Sequence, residues 1–175
     1  MRFAIALLLA FSSFATAQTA LAPRRAPGFS LMDSKQTFYD LQDYRGKFVL
    51  VEFMQTNCAH CNAFAKILEQ AKAKYGTRMT VFSIVNPPSD PKSVAKFVAD
   101  NGVTSPILFD CGQVAFSYIR PKSPTGVAIP QLFVVDPQGM IVKSWAYGND
   151  TIPIFEGKAL IPELDKLLAA APAKR

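Results

Sequence analysis

Seven residues, Phe48-Val49-Leu50-Val51-Glu52-Phe53-Met54, run straight into a loop that carries a cysteine pair, Cys58-Ala59-His60-Cys61. Six of the seven are apolar, and most are β-branched or aromatic. Such a run reads as a strand buried on both faces, as in a parallel sheet. Downstream, Phe64, Ile67, Leu68 and Ala71 recur at helical spacing across 59–75, with Gly76 as terminator. A buried strand therefore delivers two cysteines to the start of a helix, and few folds accommodate that.

The spacing has chemical consequences. Residues three apart near a helix start share a face, so the two sulfurs can close a short disulfide or separate as a dithiol. The first sulfur lies beside unpaired N–H groups at the positive end of the helix dipole, which stabilises a thiolate. Cys58 is thus the expected attacking thiol. Cys61, one turn deeper, is the expected resolving thiol. A structural zinc site uses the same spacing but wants four ligands, and only His60 and Cys111 are left to help. A c-type haem site wants His directly after the second Cys, where Asn62 stands. A structural disulfide is the remaining alternative.

The rest of the chain alternates strand and helix. Short strands are expected at 29–33 and 36–39, a turn at 41–46, a second buried strand at 79–85 and a helix at 90–101. A third strand follows at 107–109 and a short helix at 113–119. Strands at 131–135 and 140–145 flank Asp136-Pro137-Gln138-Gly139, a hairpin signal, and a closing helix spans 162–171. This order indicates an α/β domain with a mixed central sheet flanked by helices.

The strand plus Cys58-Ala59-His60-Cys61 resembles the thioredoxin active-site strand and helix. Gly126-Val127-Ala128-Ile129-Pro130-Gln131 running into LFVVDPQGMIV resembles that superfamily's cis-proline segment and terminal hairpin. The leading β-hairpin and the βα insertion before the cis-proline hairpin are similar to the exported TlpA/ResA-like, or redoxin, branch. The resemblance covers about residues 26–168. It implies a thioredoxin-like fold and a protein thiol–disulfide oxidoreductase whose redox centre is the Cys58/Cys61 pair, with no cofactor and no metal. It makes Pro130 the cis-proline and sets the Ile129 backbone beside Cys58 to pair with an extended substrate. Glu52 corresponds to a buried acid that assists proton transfer from the resolving cysteine, and burial raises a carboxyl pKa toward that use. His60, the chain's single histidine, resembles the DsbA-type dipeptide, where a protonated imidazole supports the thiolate. Asn57 replaces the usual Trp before the first Cys, and no Pro separates the cysteines. Both departures leave the direction of the redox reaction open.

Compartment follows from the N-terminus. Arg2, the apolar run 3–11 and Ala15-Thr16-Ala17 form a signal-peptide pattern over 1–17, with Ala20-Leu21-Ala22 as an alternative cleavage site. Residues 18–27 are expected to be extended, 28–171 to form the domain, and 172–175 a tail. The exported, periplasmic surroundings are oxidising, and disulfide chemistry is accessible there. The formal charge of +6 comes from scattered basic residues, so nucleic-acid binding is not supported. The expected partners are substrate proteins bearing disulfides or thiols and a redox partner that resets the dithiol; the protein is expected to be a monomer. Cys111 is expected to be a buried, inert thiol; the other reading makes it a secondary thiol at the active-site edge of the sheet. Two competing functions are a copper-handling protein using Cys58, Cys61 and His60, and a peroxiredoxin-type peroxidase. The latter lacks its hallmark because Gln55 lies three residues before Cys58.

Overall fold

The computed structural model describes residues 23–121 and 127–170. The signal-peptide pattern and the tail lie outside them. The strands are β1 (Arg24–Arg25), β2 (Ser30–Met32), β3 (Phe38–Asp40), β4 (Phe48–Met54), β5 (Met79–Val85), β6 (Ile107–Phe109), β7 (Gln131–Val135) and β8 (Met140–Ala146). The helices are α1 (Ala59–Tyr75), α2 (Pro91–Asn101), α3 (Gln113–Ile119), α4 (Ile152–Phe155) and α5 (Leu160–Ala170). Among the described residues no helix is long and apolar enough to cross a membrane.

The central sheet has the order β1-β8-β7-β4-β5-β6, and β2-β3 forms a separate antiparallel hairpin. β4 pairs in parallel with β5 and antiparallel with β7, so the sheet is mixed. All seven β4 residues are buried. Side-chain alternation divides them. Val49, Val51 and Phe53 pack with Phe82, Ile84 and Tyr118 on one face, while Phe48 and Leu50 pack with Phe64 and Leu68 of α1 and Leu164 of α5 on the other. Glu52 follows Leu50 in this alternation and therefore lies on the α1 face. That places a carboxyl beneath the helix that carries the cysteines.

Local chemistry fixes the ends of the elements. Asp90 opens α2 with a capping box: Ser93 N–H donates to Asp90 Oδ1 at 2.7 Å, Asp90 N–H donates to Ser93 Oγ at 2.9 Å, and Pro91 sits in the first turn. The β7–β8 turn closes on Asp136, whose Oδ1 accepts the N–H groups of Gln138 and Met140. Gly139 supplies the positive φ of +79° that this turn requires.

Three features differ from the sequence expectation. Within the stretch expected only to be extended, Arg24 and Arg25 pair with Ile141 and Met140 and add an edge strand to the central sheet. α5 begins at Leu160, two residues ahead of the expected start, because Pro162 fits a first turn whose N–H groups have no intrahelical acceptor. α4 is one short turn, too brief to display a helical period, yet it buries Ile154 and Phe155 against α1.

Candidate active site

Cys58 is the N-cap of α1, with extended backbone (φ −91°, ψ 117°), and its Sγ accepts the Cys61 N–H at 3.2 Å. The sulfur thus meets a backbone donor at the positive end of a 17-residue helix. It is half-buried, whereas Cys61 is 0% exposed. One thiol can meet a macromolecule; the other is held back behind it. Both are free thiols in this structure.

The loop is clamped from two sides. The Asn62 side-chain amide donates to the carbonyls of Cys58 (2.8 Å) and Thr56 (3.3 Å), while its oxygen accepts from Asn101 of α2 at 2.8 Å. On the other side Thr56 N–H donates to Ser89 Oγ at 3.2 Å. Neither clamp was apparent from the sequence: Asn62 counted there only against a haem site. Its signal was its position, one residue beyond the second cysteine on a helix whose neighbours are apolar.

Beneath the pair lies Glu52, 1% exposed. Ser83, its register partner on β5, donates Oγ–H to Glu52 Oε2 at 2.6 Å. Oε1 is buried with no hydrogen-bond partner among the described residues. Burial pushes the Glu52 carboxyl up to about 7, against the downward pull of the Ser83 hydrogen bond. Burial also pushes the Cys61 thiol far above the usual thiol range, reinforced by its hydrogen bond to Cys58 and by the Glu52 charge. Cys61 is thus a thiol that needs a base, and the nearby carboxylate has a proton affinity suited to neutral pH.

His60 is exposed, and its ring stacks on Tyr147 at 4.1 Å between centroids and 23° between planes. Tyr147 follows β8, and its backbone N–H donates to the Pro130 carbonyl at 3.0 Å. The Ile129–Pro130 peptide is cis, and Ile129 packs with Cys58 against the cluster that contains Cys61 and Met54. The cysteine helix and the proline loop therefore meet, and Tyr147 touches both. No single-residue signal singled it out, since its role depends on where the chain goes after β8.

Cys111 corrects an expectation: it is exposed rather than buried. β4, β5 and β6 are parallel, so the residues after their carboxyl ends gather on one edge. Asp110 turns the chain there by capping α3, accepting the N–H groups of Val114 and Ala115, and Cys111 is left at the rim. An open groove of about 540 Å³ runs along this edge, lined by Gln55, Cys111, Phe116, Val127 and Ile129 among others. Phe116 is 66% exposed and Val127 40% exposed, which makes the groove an apolar surface next to the cysteine loop. Among the described residues no three His, Cys, Asp or Glu side chains gather as a metal site.

The family model described as "AhpC/TSA family" matches residues 23–144, more than half of the chain. The chain belongs to the AhpC/TSA family. Within this family's sequence relatives, thiol-disulfide oxidoreductase ResA of Geobacillus kaustophilus is 32% identical over 151 residues, covering 81% of this chain and 83% of that protein. Two solved structures share the fold. A candidate DsbE thiol:disulfide interchange protein from Chlorobium tepidum matches at TM-score 0.69 and 21% identity, over 82% of this chain and 95% of that one. A thiol:disulfide interchange protein from a Bacteroides species matches at TM-score 0.66 and 21% identity, over 84% and 90%. This AhpC/TSA member is a thiol–disulfide oxidoreductase of thioredoxin-like fold, in the TlpA/ResA-like branch, and a C-x-x-C pair, Cys58 and Cys61, is present in it.

Proposed function

We propose that the protein is exported to the periplasm and exchanges disulfides with substrate proteins, Cys58 attacking and Cys61 resolving. The observation that carries this reading is the asymmetry of the pair: Cys58 Sγ is accessible at a helix N-terminus, and Cys61 is buried over a carboxyl. The Cys58 thiolate attacks one sulfur of a substrate disulfide. That S–S bond breaks, the leaving sulfur departs as a thiolate and is protonated, and a mixed disulfide remains. Glu52 accepts the Cys61 proton, and the Cys61 sulfur attacks Cys58, releasing the second substrate sulfur as a thiolate that is protonated in turn. The substrate gains two electrons, and the enzyme is left with a Cys58–Cys61 disulfide. A dithiol of a partner protein returns it to the reduced form; with a substrate dithiol the same steps run in reverse.

Four other groups serve this cycle. The Ile129 backbone and Pro130 flank Cys58 and hold the substrate main chain. The His60 imidazole, at the start of α1, supports the attacking sulfur. The apolar groove next to Gln55 and Ile129 takes the apolar side chains that flank the substrate cysteine. Export is supported by the signal-peptide pattern at 1–17.

The test is reduction of insulin disulfides with dithiothreitol as electron donor. The protein is expected to accelerate precipitation of the insulin B chain, and Cys58→Ser to reduce the rate to that of dithiothreitol alone. Wild-type rates in Cys58→Ser would refute the assignment.

A further inference from the structure

His60 is an exposed side chain, and an exposed cation near a thiolate does little, because solvent screens it and its rotamers scatter. Here the ring is not free to scatter. Its face lies on Tyr147 at 4.1 Å and 23°. The Tyr147 ring packs in turn on Phe155 of α4 at 5.5 Å, and Phe155 on Phe64 of α1 at 4.8 Å. A continuous aromatic path therefore runs from the core-facing side of α1, out through α4, and back to the dipeptide between the cysteines. The Tyr147 main chain is fixed separately by its N–H bond to the Pro130 carbonyl.

We propose that Tyr147 is a positioning residue for the redox pair: its ring holds the His60 imidazole at the start of α1, and through His60 it sets the reduction potential of Cys58/Cys61. An aromatic face holds a cation stacked on it by about two- to five-fold in an equilibrium constant at an exposed site, and that factor bounds how far holding the ring in place can shift a reaction the held group favours. The sulfur of Cys58, the N-cap of α1, gains electron density on reduction, so an imidazole fixed at that helix start favours the reduced form and raises the potential. Tyr147 needs no contact with substrate to act this way. The inference rests on the reading of His60 as the group that supports the attacking sulfur.

The experiment measures the Cys58/Cys61 equilibrium against glutathione in the full-length mature protein, for wild type, Tyr147→Phe, Tyr147→Leu, His60→Ala and the Tyr147→Leu/His60→Ala pair. Leucine keeps apolar packing on Phe155 but has no aromatic face. Tyr147→Leu is expected to lower the equilibrium constant about two- to five-fold, or about 10–20 mV for a two-electron couple. Tyr147→Phe should retain the wild-type value, and Tyr147→Leu should add nothing once His60 is alanine. Because His60 is the only histidine, its ring protons are assigned at once by NMR. Their ring-current shift should survive in Tyr147→Phe and vanish in Tyr147→Leu. If His60→Ala leaves the potential unchanged, the reading of His60 fails and this inference with it. If His60→Ala lowers the potential but Tyr147→Leu does not, or Tyr147→Leu acts equally without His60, the positioning role alone is overturned.

Discussion

Glu52 shares one carboxyl oxygen with Ser83 and keeps the other bare. The two effects oppose each other: burial raises its proton affinity and the Ser83 hydroxyl lowers it. Ser83→Ala should therefore move the pH midpoint of mixed-disulfide resolution above about 7, with the rate still rising as Glu52 ionises. Glu52→Gln should remove that pH dependence and slow resolution roughly tenfold or more. Both are read by stopped-flow fluorescence across the pH range. The same group has a stability consequence. Its folded value of about 7 lies above the ordinary 4.5, so its contribution is fully present below 4.5 and lost as pH rises through 7. The wild type should lose about 3 kcal/mol relative to Glu52→Gln over that window, measured by urea unfolding at the two ends; parallel curves would contradict the buried-acid account. Glu52 was legible in the sequence because a charge inside an apolar strand is costly without a purpose. Ser83, in Met79–Val85, carries the same signal more faintly, since a buried hydroxyl is common. Tyr147 carried no signal, because an aromatic residue after a strand is compatible with any core.

At the scale of elements, the start of α1 depends on a cysteine in the cap position, where serine or aspartate is the stronger choice. Asn62 compensates by tying the carbonyls of Thr56 and Cys58 to α2 through Asn101. Asn62→Ala should lower stability by about 1–2 kcal/mol and loosen the loop. The first effect is read from the denaturant midpoint, the second from faster amide exchange at Cys61. An unchanged midpoint and unchanged exchange would show that the clamp is incidental. The long elements were legible because their periods repeat: β4 and β5 as apolar runs, α1 and α2 by helical spacing and caps. β1 has two residues and α4 has four, too few to establish a period. Both are set by partners distant in sequence, β8 for one and α1 for the other.

The whole molecule gathers its chemistry at one place because β4, β5 and β6 run in parallel and β7 returns beside β4. Three carboxyl ends and the start of β7 then surround a single edge, which holds Cys58, Cys111, Ile129 and the apolar groove. A mixed sheet was implicit in the strand–helix alternation and the cysteine pair in its spacing, whereas the proline loop and the acid were named from the resemblance to thioredoxins; the strand order itself came from the structure. Exposure of Cys111 was not implicit, since it depends on how Asp110 turns the chain into α3. The proposed export is tested on the whole chain as well. Protein recovered from a periplasmic extract should have a mass that begins at Gln18, or at Pro23 if the alternative site is cut; an uncut chain would contradict the leader assignment.

The division of labour between the accessible Cys58 and the buried Cys61 is tested most directly by trapping. Cys61→Ser should accumulate a mixed disulfide with an oxidised substrate protein, and peptide mass mapping should place the bond on Cys58, with Cys111 still free. A bond found on Cys111, or the same yield from Cys58→Ser, would contradict the assignment of Cys58 as the attacking thiol.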